Sequence, residues 1–188
     1  MNGMRFSVAA LLKEPTGASR QRVIHVPPTT VGERTLVSPV QGKVKLLRVG
    51  PRRSQAGAIL ALGELATAVA TECSRCLESA TYPVSFSFEA AYYPQVDVAT
   101  GRAVAPHQDD LGFDLSANHE LDLTEAIRQH IELAMPMQPL CFEECAGLCA
   151  ACGRNRNHES CSHKAAEIDP RLAPLQELLT SDALRGMM

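Results

Sequence analysis

Between Pro139 and His163 the chain carries five cysteines and two glycines among few apolar residues. Such a stretch cannot bury enough hydrocarbon to offset the entropy of ordering it, so it folds only under an added constraint. Cysteine offers two, a disulfide framework or a metal. Seven cysteines in the whole chain are an odd number, and most stand in short-spaced pairs, a pattern that fits a reducing compartment and metal ligation. The array reads Cys73-x2-Cys76, Cys141-x3-Cys145, Cys149-x2-Cys152 and Cys161-x-His163, which is eight potential ligands or two tetrahedral sets.

Zinc is suited by four sulfur or nitrogen ligands, and a Cys-x2-Cys turn lets two thiolates reach one ion while nearby amides hydrogen-bond to the sulfurs. Glycine after Cys152 permits the tight turn of such a knuckle. Two partitions stand. In the preferred one, Cys73, Cys76, Cys141 and Cys145 hold one structural zinc, and Cys149, Cys152, Cys161 and His163 hold a second. In the rival, Cys141, Cys145, Cys149 and Cys152 share a single ion and Cys73 with Cys76 forms a dithiol. The first leaves no thiol unused. Both of its sets are full, without the open position a catalytic zinc keeps, so no enzyme is expected and no small-molecule substrate. His130-Ile131-Glu132 followed by Pro139 and Cys141 has some likeness to a zinc-deaminase signature, but the cysteines are spaced x3 and His130 sits in an amphipathic helical pattern.

The sequence of 188 residues allows one substantial core plus a metal-held appendage, here divided as a core domain over 1–138 and a zinc-binding segment with a C-terminal helix over 139–188. The expected fold class is α+β, an antiparallel sheet or partly open barrel with one central helix. Tyr82 to Tyr93 alternates Val84, Phe86, Phe88, Ala90 and Tyr92 with polar residues, the period of a half-buried strand. Lys43–Val49 and Leu65–Thr71 are shorter strand candidates, which places Cys73 and Cys76 at a hairpin tip. That position speaks against a thioredoxin-like dithiol, which needs a helix N-terminus. Gln95 to Asp110 reads as a loop. Asp122 followed by Glu125 suggests a capping box opening a helix that Pro136 ends, and Leu172, Leu175, Leu178 and Leu179 form the face of a short docking helix.

Phe6 to Leu12 is apolar, but no small-residue cleavage site follows, so it is not read as a signal peptide, and nothing approaches a membrane span. A cytoplasmic protein is expected. The net charge of −3 conceals an asymmetry: the first sixty residues hold ten Lys/Arg against two Glu, and the remainder eight against nineteen acidic residues. The split fits a basic surface able to meet a polyanion, with Arg20, Arg22, Lys43, Lys45, Arg48, Arg52 and Arg53 as candidate phosphate contacts, and equally a solvated basic face with no partner. Aromatic residues make up 4% of the chain, and Phe6 alone lies in the basic third, so base stacking is not expected.

Leu11-Leu12-Lys13-Glu14-Pro15, Cys73-Ser74-Arg75-Cys76-Leu77, Asp122-Leu123-Thr124-Glu125, and the block from Pro139-Leu140-Cys141 through Gly147-Leu148-Cys149-x2-Cys152-Gly153 to Asn157 resemble the YceD family of large-ribosomal-subunit RNA accumulation proteins over nearly the whole chain. The sequence departs from many relatives where Cys161-Ser162-His163 replaces Cys-x-Cys, and where Arg156 stands between Asn155 and Asn157. The resemblance implies a bacterial, non-enzymatic factor of large-subunit biogenesis that supports accumulation of 23S rRNA, with that RNA, a large-subunit ribosomal protein or a precursor as partner. A zinc-thiolate redox or stress sensor is the alternative.

Overall fold

In the computed structural model, residues 3–50, 57–104, 112–163 and 171 are described. The chain divides into two compact units, Met1–Cys145 and Ala146–Met188. Eleven elements occupy the described part of the first: β1 (Arg5–Ser7), α1 (Ala9–Lys13), β2 (Ser19–Val26), β3 (Thr30–Val31), β4 (Arg34–Thr35), β5 (Val40–Val49), β6 (Ala58–Glu72), β7 (Ser79–Tyr93), β8 (Phe113–Asp114), β9 (Glu120–Asp122) and α2 (Thr124–Ala134). The architecture is mostly sheet with one main helix. Its centre is an open five-stranded sheet in the order β2-β5-β6-β7-β8, antiparallel except for the parallel β7–β8 pair. The strand candidates read from sequence lie inside β5, β6 and β7.

Side-chain parity decides what the sheet buries. Along β6 the odd residues Ile59, Ala61, Leu65 and Val69 are buried, and they pair with Tyr92, Ala90, Phe86 and Tyr82 of β7. Gly63 lies opposite Phe88, and a Cβ there would meet the Phe88 ring at 2.1 Å, so glycine makes room for the ring. The main helix packs against β7 through Ala126, Ile127 and Ile131, and Val8, Leu11 and Leu12 of the apolar N-terminal stretch join the same core. His130 stands beside Phe86 and Phe88, with ring centroids 6.3 and 5.6 Å away, and its Nδ1 is 2.8 Å from the Ala126 carbonyl.

The helix start differs from the capping box expected. β9 runs through Asp122, so the residue at the N-cap is Leu123, and no side chain caps it. Asp122 instead accepts the Thr124 N–H at 2.9 Å and Arg5 Nε at 2.7 Å, while Glu125 turns to Arg128 and Gln129. Pro136 does follow the helix end.

In the second unit the described residues 146–163 make turns and one isolated bridge, Leu148 to Asn155. Cys149 is the one buried side chain among them. The docking helix expected near the C-terminus, the loop beyond Val104 to Asp110, and Arg52 and Arg53 lie outside the described residues. Among the described residues no helix is long and apolar enough to cross a membrane.

Candidate metal centres

Strands β6 and β7 are joined by a six-residue tip, Cys73 to Glu78, whose ends close through the Cys73 N–H to the Glu78 carbonyl at 2.9 Å. Inside it the Leu77 N–H returns to the Cys73 carbonyl at 2.9 Å, which forces Leu77 to a φ of 60°. This tight turn presents two sulfurs on one side. The segment after α2 crosses the tip, its Pro139 carbonyl taking the Ser74 N–H at 2.8 Å, and delivers Cys141 and Cys145. Arg75 fastens the crossing by donating to the Cys145 carbonyl at 3.0 Å. Cys73, Cys76 and Cys145 are buried, with Leu140 and Cys141 packed against them.

The four sulfurs lie within 4.8 Å of one another. Cys73 and Cys145 are 3.7 Å apart and Cys76 and Cys141 3.6 Å. None of the seven cysteines is in a disulfide, and these separations far exceed the ~2.05 Å of such a bond. They match the edge of a tetrahedron around zinc, about 3.8 Å for Zn–S bonds of about 2.3 Å.

The second group repeats the turn. The Cys149 N–H bonds the Arg154 carbonyl at 2.8 Å, the Gly153 N–H bonds the Cys149 carbonyl at 2.8 Å, and Gly153 takes the left-handed φ of 71°. Cys149, Cys152, Cys161 and His163 bring one ligand atom each to within 4.8 Å of the others, with Cys149 buried and Cys152 and His163 exposed. Asn155 and Asn157 hold the loop around it. Asn157 Oδ1 takes the Ala146 N–H at 2.7 Å and Asn155 Oδ1 the Asn157 N–H at 2.9 Å. Their sequence pattern was visible, but its purpose, tying the loop's two strands of chain, was not.

The electrostatics of each group suit a cation. Burial works against ionising Cys73, yet the backbone N–H groups of Cys76, Arg75 and Cys141 outweigh it and bring the thiol down to about 6. Cys141 is pushed up to about 12 by burial and by the sulfurs of Cys145, Cys73 and Cys76. In the second group the Cys152 and Ala151 N–H groups bring Cys149 down to about 6, and the Cys149 sulfur raises Cys161. Each group thus sets one thiol that ionises readily, Cys73 or Cys149, against another that resists it, Cys141 or Cys161. A divalent cation removes that resistance, because its charge compensates several thiolates at once. Either set could hold a metal ion, and the donor types suit zinc. His130 belongs to neither group, as its ring packs on phenylalanines.

The candidate phosphate contacts among the described residues do not gather on one face. Arg20 and Arg22 of β2 stand opposite Leu46 and Val44, on the side of the sheet that carries the core. Lys43 and Lys45 stand opposite Val23 and Gln21, on the other side. Arg20 pairs with the Glu14 carboxylate, and Arg48 donates to the Glu14 carbonyl, so these two guanidinium groups tie the end of α1 to the sheet. Charge counts along the chain carry no information about parity, which is why the split was invisible in the sequence.

Residues 62–179 match the family described as large ribosomal RNA subunit accumulation protein YceD. An uncharacterised protein of Mycobacterium tuberculosis is 34% identical over 131 residues, 68% of this chain and 60% of the relative. The Mycobacterium leprae counterpart is 28% identical over 125 residues, covering 66% of this chain and 54% of its own length. The uncharacterised protein YlbN of Bacillus subtilis is 29% identical over 114 residues, 58% of this chain and 60% of its own length. The chain therefore spans less than two thirds of each of these relatives. No solved structure matches.

Proposed function

Because the chain belongs to the YceD family, whose name links it to accumulation of the large-subunit ribosomal RNA, we propose that it is a zinc-held, non-enzymatic factor of large ribosomal subunit biogenesis that supports 23S rRNA accumulation. The match carries this reading, for residues 62–179 contain all eight candidate ligands, Cys73 to His163. Cys73, Cys76, Cys141 and Cys145 hold one structural ion, and Cys149, Cys152, Cys161 and His163 the other. Four protein ligands fill a zinc's tetrahedral shell and leave no position for a reacting water, which favours a scaffold over a catalyst. The bound metal supplies charge compensation and cross-linking. The residues around it do the rest: Arg75 and Pro139 position the helix-end segment on the hairpin tip, and Asn155 with Asn157 shapes the second loop.

Depletion in the native host, with 23S and 16S rRNA quantified together, tests the role. A fall in 23S relative to 16S is expected, and an unchanged ratio overturns the proposal. The exposure of Cys152 and His163 favours a second reading, a zinc-thiolate stress sensor. Under it, mild peroxide releases zinc and changes rRNA levels within minutes, whereas a scaffold loses function only as the protein unfolds.

A further inference from the structure

Strand β2 ends the five-stranded sheet, and among the described residues it pairs with β5 alone. The Arg48 N–H bonds the Ala18 carbonyl at 2.8 Å, and alternation along the antiparallel ladder from that bond turns the backbone groups of Ser19, Gln21, Val23 and His25 outward. Eight residues without proline form a long open edge, SRQRVIHV, and Val23 on it is 75% exposed. Exposed edges of this kind pair with other chains unless something blocks them.

The charges beside the edge are distributed in an informative way. Arg20 and Arg22 project on one face of the sheet, and Lys43 and Lys45, one strand further in, on the other. Arg22, Lys43 and Lys45 have no carboxylate partner among the described residues. A polyanion laid on one face meets one of these sets and misses the other. An added strand sends successive side chains to alternate faces and meets both. On the lysine side a shallow hollow of about 780 Å³, lined by Val23, Gln41, Lys43, Glu64 and Ser87 among others, gives its side chains room. A second copy of β2 is a poor occupant, since SRQRVIHV carries no carboxylate to meet either set of cations.

We infer that the free edge of β2 takes up an extended acidic segment of a protein partner by strand addition, with carboxylates reaching Arg20 and Arg22 on one face and Lys43 and Lys45 on the other. This partner site stands apart from the ribosomal RNA reading, and β2 with Lys43 and Lys45 lies outside the stretch matched to the family.

The test uses the zinc-loaded full chain, isotopically labelled, and a capped valine–glutamate octapeptide with glutamate on both faces. Exchange of the Gln21 and Val23 amides slows about tenfold on binding, as for amides newly drawn into a ladder. Arg22→Glu and the Lys43→Glu/Lys45→Glu pair each weaken binding about tenfold or more, the loss of close interfacial charge pairs. Val23→Pro removes an outward donor without touching the β5 ladder and abolishes binding. Equal binding of a lysine-for-glutamate peptide, or unchanged amide exchange, overturns the inference. So does a loss confined to the Lys43/Lys45 variant together with binding of a single-stranded RNA oligonucleotide, which assigns that face to RNA.

Discussion

Cys73 to Glu78 and Cys149 to Arg154 fold into the same turn, with the same two backbone hydrogen bonds and a left-handed residue after the second cysteine. The two candidate metal groups built on these turns differ in everything else. The first joins sulfurs 65 to 72 residues apart in sequence, is buried, and sits in a unit with its own apolar core. The second draws its four ligands from Cys149 to His163, and Cys149 is the one buried side chain among the described residues of its unit. The same knuckle geometry thus stands beside an apolar core in the first unit and, in the second, among described residues that bury no side chain but Cys149. Metal contributes an apparent ~10–16 kcal/mol in small finger peptides, and in the second unit little else among the described residues opposes unfolding.

Chelation is the strongest challenge to this contrast. Stripping zinc is expected to collapse the dispersed amide signals of residues 146–163 while β5, β6 and β7 keep theirs. Release should be biphasic, the exposed Cys152/His163 group first. Simultaneous loss of both sets of signals would merge the two units into one metal-dependent fold and end the comparison.

Single ligands sharpen it next. Cys145→Ser removes one of three buried cysteines of the first group, so zinc content falls by one and the melting temperature of the sheet drops by several degrees. Cys161→Ser also costs one zinc, yet the sheet transition stays where it was. Thermal melts with zinc analysis of both variants decide the matter.

Gly63→Ala attacks the first unit without touching a ligand. The new Cβ meets the Phe88 ring at 2.1 Å, so the ring has to leave its place, a strain of about 1–3 kcal/mol. Sheet stability falls, while zinc content and the rate of release from the second group are unchanged.

How much of this was legible beforehand depended on whether the signal was local. The alternation from Val84 to Tyr92 is written in adjacent residues and survives in β7. The mostly polar run Ser19–Val26 hides an edge strand, because only Ile24 and Val26 need burial there. The ligand spacings pointed to metal but left two partitions open, since grouping depends on where the chain after α2 crosses the hairpin tip. That crossing rests on backbone bonds such as Ser74 to Pro139, which no residue type announces. Asp122 looked like a cap because Glu125 follows at the right spacing, but pairing of β9 with β1 takes Asp122 into extended backbone and hands its carboxylate to Arg5.

A milder probe of the first unit is the Arg34–Glu132 ion pair, which lies within it. The Arg34 guanidinium, bonded to both oxygens of Glu132 at 2.9 and 3.0 Å, holds that carboxyl below its ordinary value. A depressed folded pKa means the stabilisation is complete above the unfolded value, near 4.3, and is lost as pH falls through the folded one. Both partners are about one third exposed, so solvent screening limits the pair to about 1 kcal/mol or less. Arg34→Ala lowers sheet stability at pH 7 by that amount, and the difference from the parent is lost as pH falls through the folded value of Glu132. A difference that persists in acid assigns the effect to packing of the Arg34 stem.

The smallest effect tests the turn itself. Leu77 holds a φ of 60° where Gly153 holds 71°, and Leu77 is 62% exposed, so packing does little to offset the strain. A left-handed non-glycine residue costs ~1–2 kcal/mol, and glycine returns ~0.5–1 kcal/mol of that as entropy of the unfolded chain. Leu77→Gly is therefore expected to tighten zinc at the first group slightly, by a few tenths of a kcal/mol to about 1 kcal/mol, in a chelator competition. Gly153→Ala loosens it at the second group by about 1 kcal/mol. Opposite signs at equivalent positions establish that one backbone geometry underlies both sites. A Leu77→Gly variant that binds zinc more weakly reveals instead that the leucine side chain itself shields the buried sulfurs, a protection the exposed second group never had.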